Sequence, residues 1–343
     1  MKKRHRITLL TPLIAALAAA MLYVPQASAV AYCALRDPVA AIQQLFPGRT
    51  TYKTFVGTVG RNIRPTLATE LPFDFHFDEF GRHSLYAIFR DGRPEGFVQA
   101  RSELGQWGLV EIVWALDLDL KILDFVFQRN RNPASRYIEN SDFKDLLRGR
   151  GVDELAVLLT QLESGTLAEP DIPQKAMPLA RIVIESAMKV IVVAGVVWEQ
   201  DIMDVRALAA ATREFSDADH VSIRPDPYDE ARFGRLGASQ LPEDSVFDRS
   251  TVRSFAVLDS GGDFLGSVLS TEFDTPTSHE SLWWVVTNDG RVKSVNAQGG
   301  WSNLEARASI GSLDRTIEEL STCATPGELA LLEVMLVARM TRP

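Results

Sequence analysis

Apolar and polar positions alternate most clearly between Ser84 and Phe127. Four short apolar runs stand there, Leu85–Phe89, Gly96–Ala100, Val110–Leu116 and Ile122–Phe127. Asp91-Gly92 and the polar stretch Asp117–Lys121 separate them, so the pattern predicts an antiparallel meander. Upstream, Val39, Ile42, Leu45 and Phe46 are spaced as on a short helix that Pro47-Gly48 ends. Thr51–Val59 has the β-branched content of a strand. Phe73, Phe75 and Phe77 alternate with Asp74, His76 and Asp78, a period of two with one apolar face. Downstream of the meander lie a basic loop, Gln128–Pro133, and short helices over 141–147 and 153–162. Leu179–Trp198 then reads as a strongly apolar helix or helix-strand run, in which Arg181, Glu185 and Lys189 are spaced by four as a solvated helical stripe.

The chain repeats this unit. A shift of 170 residues lays 71–125 on 241–295 without a gap and makes eleven positions coincide. They include Gly92 with Gly262, Gly96 with Gly266, Val98 with Val268 and Trp114 with Trp284; chance gives about three or four. The fold expected is therefore α+β, two tandem copies of an antiparallel sheet with helices. The divisions are a leader over 1–29, a first domain over 30–200, a helix and linker over 201–240, and a second domain over 241–343. The linker is inferred from the Asp, Pro, Gly and Arg content of 217–244. Trp283-Trp284 puts one ring on each sheet face, and two helices, 312–320 and 326–340, close the chain.

Residues 1–29 combine a basic start (Lys2, Lys3, Arg4, Arg6), an apolar run to Val24 and Ala27-Ser28-Ala29. This is the pattern of a cleaved secretory signal, with a retained N-terminal anchor as the alternative. Either one places the body outside the cytoplasm, in a periplasm or another extracytoplasmic setting. The leader holds four basic and no acidic groups, so the net charge of −9 becomes −13 without it. That balance argues against nucleic acid and anionic membrane surfaces as partners. Only Cys33 and Cys323 occur, and in an oxidising compartment they are either a disulfide or two lone thiols.

The order of helix, strand, meander, polar loop and a small-residue turn opening a long helix resembles the FMN-binding domain family. Its members are extracytoplasmic flavin-carrying subunits of sodium-pumping NADH:quinone reductase and related complexes. The likeness rests on Gly105-Gln106-Trp107-Gly108, the Asp117-Leu118-Asp119-Leu120 turn, the Arg131-Asn132-Pro133-Ala134 loop and Phe143–Leu147. It implies a non-covalent FMN in copy one and a membrane-bound redox or envelope complex as partner. Gly105, Trp107 and Gly108 form one wall of that implied site. Arg129, Arg131, Asn132 and Arg136 are its phosphate side, and Ala176 is the turn before the last helix. Where the family carries a flavinylated Thr, copy one has Lys175-Ala176-Met177-Pro178, without a hydroxyl; copy two has Cys323-Ala324-Thr325-Pro326. The alternative reading is a flavin-free structural or interaction module of an envelope complex.

Other chemistry finds little support. His76, Asp78, Glu79 and His83 match no metal-ligand spacing. There is no Gly-x-Ser-x-Gly nucleophile motif, and no helix opens after the glycines at 92–108 to make a dinucleotide fingerprint.

Overall fold

The structure is a computed structural model that describes residues 38–75, 79–167, 172–224, 247–274, 279–297, 310–320 and 325–340. Helix α1 (Val39–Leu45) leads into β1 (Thr50–Val59), and α2 (Arg64–Glu70) follows after a single 3-10 turn. The meander is β2 (Gly81–Arg90), β3 (Arg93–Gly105), β4 (Gly108–Leu116) and β5 (Ile122–Arg129). Next come α3 (Ser141–Leu147), α4 (Val152–Ser164), α5 (Met177–Val197) and α6 (Glu199–Glu214). The second half holds β6 (Ala218–Arg224), β7 (Arg253–Asp259), β8 (Phe264–Asp274), β9 (His279–Thr287) and β10 (Val292–Ala297), then α7 (Ile317–Leu320) and α8 (Pro326–Met340).

Each half is a five-stranded antiparallel sheet in simple chain order, β1 to β5 and β6 to β10. Strand alternation gives each sheet two apolar faces, and helices cover both. In the first, Phe97, Ile112, Trp114 and Phe125 face α5, whereas Ile88, Val98, Val113 and Val126 face α1. In the second, Leu269, Trp284 and Val295 face α8, whereas Val257, Val268, Trp283 and Val285 face α6. The two tryptophans of the pair thus lie on opposite faces, as the sequence implies.

The repeat extends to register. Val98 lies opposite Ala115 and Val268 opposite Val285; Trp114 pairs with Phe125 and Trp284 with Val295. The 170-residue shift thus holds from β3 onward. Earlier it is 169, because Tyr86 pairs with Val98 while Phe255 pairs with Val268. The turn after β7 is longer than the Asp91-Gly92 turn, so the correspondence needs a gap there, and Ser84 matches Arg253 rather than Ser254. Both halves break register at the same place, beside Gly96 and Gly266. A Cβ on Gly96 would stand 2.3 Å from the Leu116 carbonyl oxygen and against Phe46; one on Gly266 would stand 2.3 Å from that of Val286 and against Phe215. Only glycine lets the ring and the neighbouring strand close in.

Three expectations change. The second unit begins before residue 241, since α6 covers its sheet and β6 is its edge strand. The 201–240 segment is thus not a linker as far as Arg224. Its polar composition misled because β6 is exposed along most of its length and needs few apolar side chains. Phe73 and Phe75 lie in irregular chain, not in a strand. The 181–185–189 stripe holds for Arg181 and Glu185, but Lys189 is buried. Among the described residues no helix is long and apolar enough to cross a membrane. The leader, Cys33 and Cys323 lie outside the described residues.

Candidate functional site

The feature the sequence hid is a charge network inside the first unit. Alternation along β3 puts Gln99, Arg101 and Glu103 in phase with Phe97, on the face that α5 covers. Lys189 reaches the same layer from α5, one turn beyond Ser186, whose hydroxyl accepts the Trp114 indole N–H at 3.1 Å. Lys189 Nζ lies 2.5 Å from Glu79 Oε1 and 2.8 Å from Glu103 Oε2. Arg101 Nε donates to Glu103 Oε1 at 3.1 Å, and an Nη approaches Glu79 Oε2 at 3.5 Å. Phe75 sits under both cations, its ring centroid 5.4 Å from the Arg101 guanidinium carbon and 6.0 Å from Lys189 Nζ. All four charged side chains are buried.

Two cations and two anions cancel, which is what burial demands. Burial by itself pushes the Glu103 carboxyl up, but the Arg101 and Lys189 charges outweigh it and hold it below the ordinary value. His83 shares a hydrogen bond of 2.9 Å between Nε2 and the Glu79 carbonyl, and its pKa is lowered to about 4 by burial, reinforced by the Arg101 charge. His83 is therefore neutral near pH 7. Each carboxylate is engaged by both cations. The arrangement ties the segment before β2, β3 and α5 together.

The residues expected around a flavin divide. Gly105 pairs with Gly108 at the tip of the β3–β4 hairpin, and Gly108 adopts φ 97°, a conformation that suits glycine. Trp107 projects from that tip, 58% exposed. Arg129 is turned away from α5. Glu111 stands between Val110 and Ile112, which face α5, so Glu111 faces α1. A break in register before Ile112 pairs Glu111 with Arg129, bringing an Nη within 3.9 Å of its Oε1. Arg131 is exposed. Asn132 is buried and builds its own loop, its Oδ1 accepting the Ala134 N–H at 2.9 Å. Arg136 donates to the Tyr137 hydroxyl at 2.8 Å and covers its ring. Lys175 lies 4.8 Å from the same ring, and together the two cations lower the Tyr137 pKa, Lys175 contributing first. Ala176 caps the start of α5 and is fully buried. Arg136 and Lys175 are thus drawn together at Tyr137, with Ala176 next to Lys175 in the chain, while Arg129 is not. Of the four residues that match no metal-ligand spacing, Glu79 belongs to the charge network and His83 bonds its carbonyl, and His76 and Asp78 lie outside the described residues.

In the second unit a cleft of about 300 Å³ opens between α6 and the sheet, lined by Met203, Arg253, Phe255, Ser270, Glu272 and Trp283. Arg206, at its edge, donates instead to the Leu118 carbonyl of the first unit at 2.5 Å.

The sheet edges differ more than the cores. β5 breaks register with β4 twice and carries Asp124 and Arg129. β10 breaks register once, and its Lys293 reaches the Glu214 carbonyl at 2.5 Å. β6 has seven residues, a break, and the charged or titratable Asp219, His220 and Arg224. β1 has ten residues, pairs with β2 without a break, and has Lys53 as its single charge. Tyr52 and Val56 on it are 41% and 56% exposed. Bulges, short length and charge are the devices that protect a free edge, and β1 has almost none of them.

The sequence held the signal for the network, because Gln99, Arg101 and Glu103 share parity with Phe97. It held the signal for the edge as well, in the nearly chargeless run Thr50–Val59. What was missing was the knowledge of which strands end each sheet. No protein-family model, curated protein or solved structure matches the chain.

Proposed function

We propose that the chain is a flavin-free interaction module of a cell-envelope assembly that docks an extended segment against the open edge of β1. The observation that carries this reading is that, among the described residues, no strand pairs with the outer edge of β1. Ten residues of regular, β-branched, nearly chargeless strand offer unpaired backbone groups to an added strand, with Tyr52 and Val56 as side-chain anchors. The secretory pattern of the leader supports the envelope as the setting. The interior of the first unit supports a scaffold role, since Glu79, Arg101, Glu103, Glu111 and Lys189 each have an opposite charge within 4 Å inside the protein.

The test is a photo-crosslinking amino acid placed at Val56 in cells, with Ile223 on β6 as the control position. Adducts from position 56 that vanish when Thr54→Pro is added are the expected result. No adduct at position 56, or equal adducts at both positions, refutes the reading.

A flavin-carrying reading keeps one observation in its favour, the convergence of Arg136 and Lys175 on Tyr137 beside Ala176. Phosphate dianions seek such paired cations. Titrating the protein with FMN and following flavin fluorescence separates the two readings. The interaction module shows no saturable quench; a saturable quench weakened by Arg136→Ala restores the flavin.

A further inference from the structure

We infer that the strand added to β1 is β1 of a second copy of the same chain, placed antiparallel about a two-fold axis at Thr54. The inference rests on the docking-strand reading and names its occupant.

Backbone direction comes first. In an antiparallel pair, residues alternate between exchanging hydrogen bonds with the partner strand and pointing those groups away. The Thr50 N–H donates to the Gly48 carbonyl at 3.1 Å, although Thr50 stands opposite Arg90. Thr50 is therefore not a bonded pair with β2. The unbroken register from Thr50 to Val59 carries the alternation through, so Tyr52, Thr54 and Val56 turn their N–H and C=O groups to the open side.

Side-chain pattern comes second. A two-fold axis perpendicular to the sheet keeps faces together, so residues of equal parity meet across it. Centring on Lys53 would set two ammonium groups directly opposite each other. Centring on Thr54 sets Thr54 against itself and Tyr52 against Val56 of the second copy. Those are the two large apolar side chains that β1 leaves exposed, on the face where Tyr52 already meets the Tyr86 ring at 5.6 Å. The same register puts Lys53 against Phe55 of the second copy, in the class of pair where side chains approach most closely. Lys53 already lies 5.0 Å from the centroid of its own Phe55. Thr–Thr, aromatic–β-branched and cation–aromatic pairs are all favourable across strands, and no like charges are opposed. The product is one continuous sheet of two first units.

The decisive variants exploit the axis, because across the proposed seam residue 54 meets residue 54 of the second copy. Thr54→Lys and Thr54→Glu each oppose like charges and should each weaken self-association at least about tenfold, whereas their equimolar mixture should recover it. Sedimentation equilibrium of the full chain reads both, and native mass spectrometry identifies the mixed species. Thr54→Pro removes an outward donor without breaking a bond to β2, and should leave circular dichroism unchanged while abolishing the dimer. A dimer untouched by all three variants, or a mixture no tighter than its components, overturns the inference. So does a wild type that stays monomeric at the highest measurable concentration. In that last case a synthetic peptide of residues 50–59 decides what else falls. If it binds the wild type and not Thr54→Pro, the docking strand stands with a different occupant; if it does not bind, both readings fail.

Discussion

The two halves of this chain are one fold built with different interiors. Where β3 puts Gln99, Arg101 and Glu103 against α5, the matching positions of β8 are Leu269, Thr271 and Phe273. Aligning Pro178 with Pro326 sets Lys189 on Val337, and the structural match of His83 is Val252. Val337 and Val252 are both buried. The helix of the second unit carries ion pairs of its own, Glu333 with Arg249 at 3.0 Å and Glu328 with Arg315 at 2.5 Å, but among the described residues nothing like the four-membered network. The fold therefore does not need the four-membered network to form, although the second unit still buries Glu333. Buried ion pairs contribute little net stability relative to well-packed apolar groups, yet they are costly to break singly. In the first unit they fix which segments meet: Glu79 must find Lys189, and Lys189 must find Glu103.

This contrast can be broken most forcefully at Lys189. Lys189→Met leaves Glu79 and Glu103 buried with Arg101 alone, and should lower the stability of the first unit by about 3–5 kcal/mol in urea melts. Combining Glu79→Gln, Arg101→Thr, Glu103→Phe and Lys189→Val, which carries the second unit's choices into the first at three positions, should recover most of that loss. A quadruple variant as weak as the single one would show that the charges are indispensable.

Acid separates the halves next. The His83 pKa falls from 6.5 when unfolded to about 4 in the fold, so the unfolded chain binds the proton first. Stability is unaffected above pH 6.5 and is lost as pH falls from there to about 4. The loss amounts to about 3 kcal/mol over that window, by the energy of the shift. The depressed Glu103 carboxyl acts in the same direction at lower pH: its contribution is present above the ordinary glutamate range and is lost as pH falls through its folded value. The urea midpoint of the first unit should therefore fall with pH well before that of the second, and His83→Val should flatten the slope between pH 6.5 and 4. A slope unchanged by that variant contradicts the assignment.

The smallest effect tests what the halves share. Gly96→Ala and Gly266→Ala each drive a methyl to 2.3 Å from a carbonyl oxygen, and each should cost about 1–3 kcal/mol, nearly equally. Unequal losses would mean that the two bulges are not equivalent supports.

Much of the architecture was legible in one dimension. The turn glycines, the alternating runs and Trp114 with Trp284 disclosed the duplication and the antiparallel class, because turn chemistry and period two are local properties. The start of the second unit was not legible, since an exposed edge strand such as β6 looks like a polar linker. Nor was the role of Phe73 and Phe75, whose alternation imitates a strand although they pack beside a cation cluster. Arg129 was placed among the phosphate-side residues by its position in the loop, yet the break in register beside it turns it to the opposite face.

The sequence by itself determined the unit, its repetition and the residues that had to be buried or turned. Tertiary structure decided what those residues meet. Lys189 reads as one member of a solvated helical stripe until α5 is laid on β3, because burial of a charge depends on partners 86 and 110 residues away. Thr50–Val59 likewise reads as an ordinary strand until the sheet order leaves it outermost. Whether an edge is free depends on which strands fail to pair with it, and that is a property of the assembled sheet.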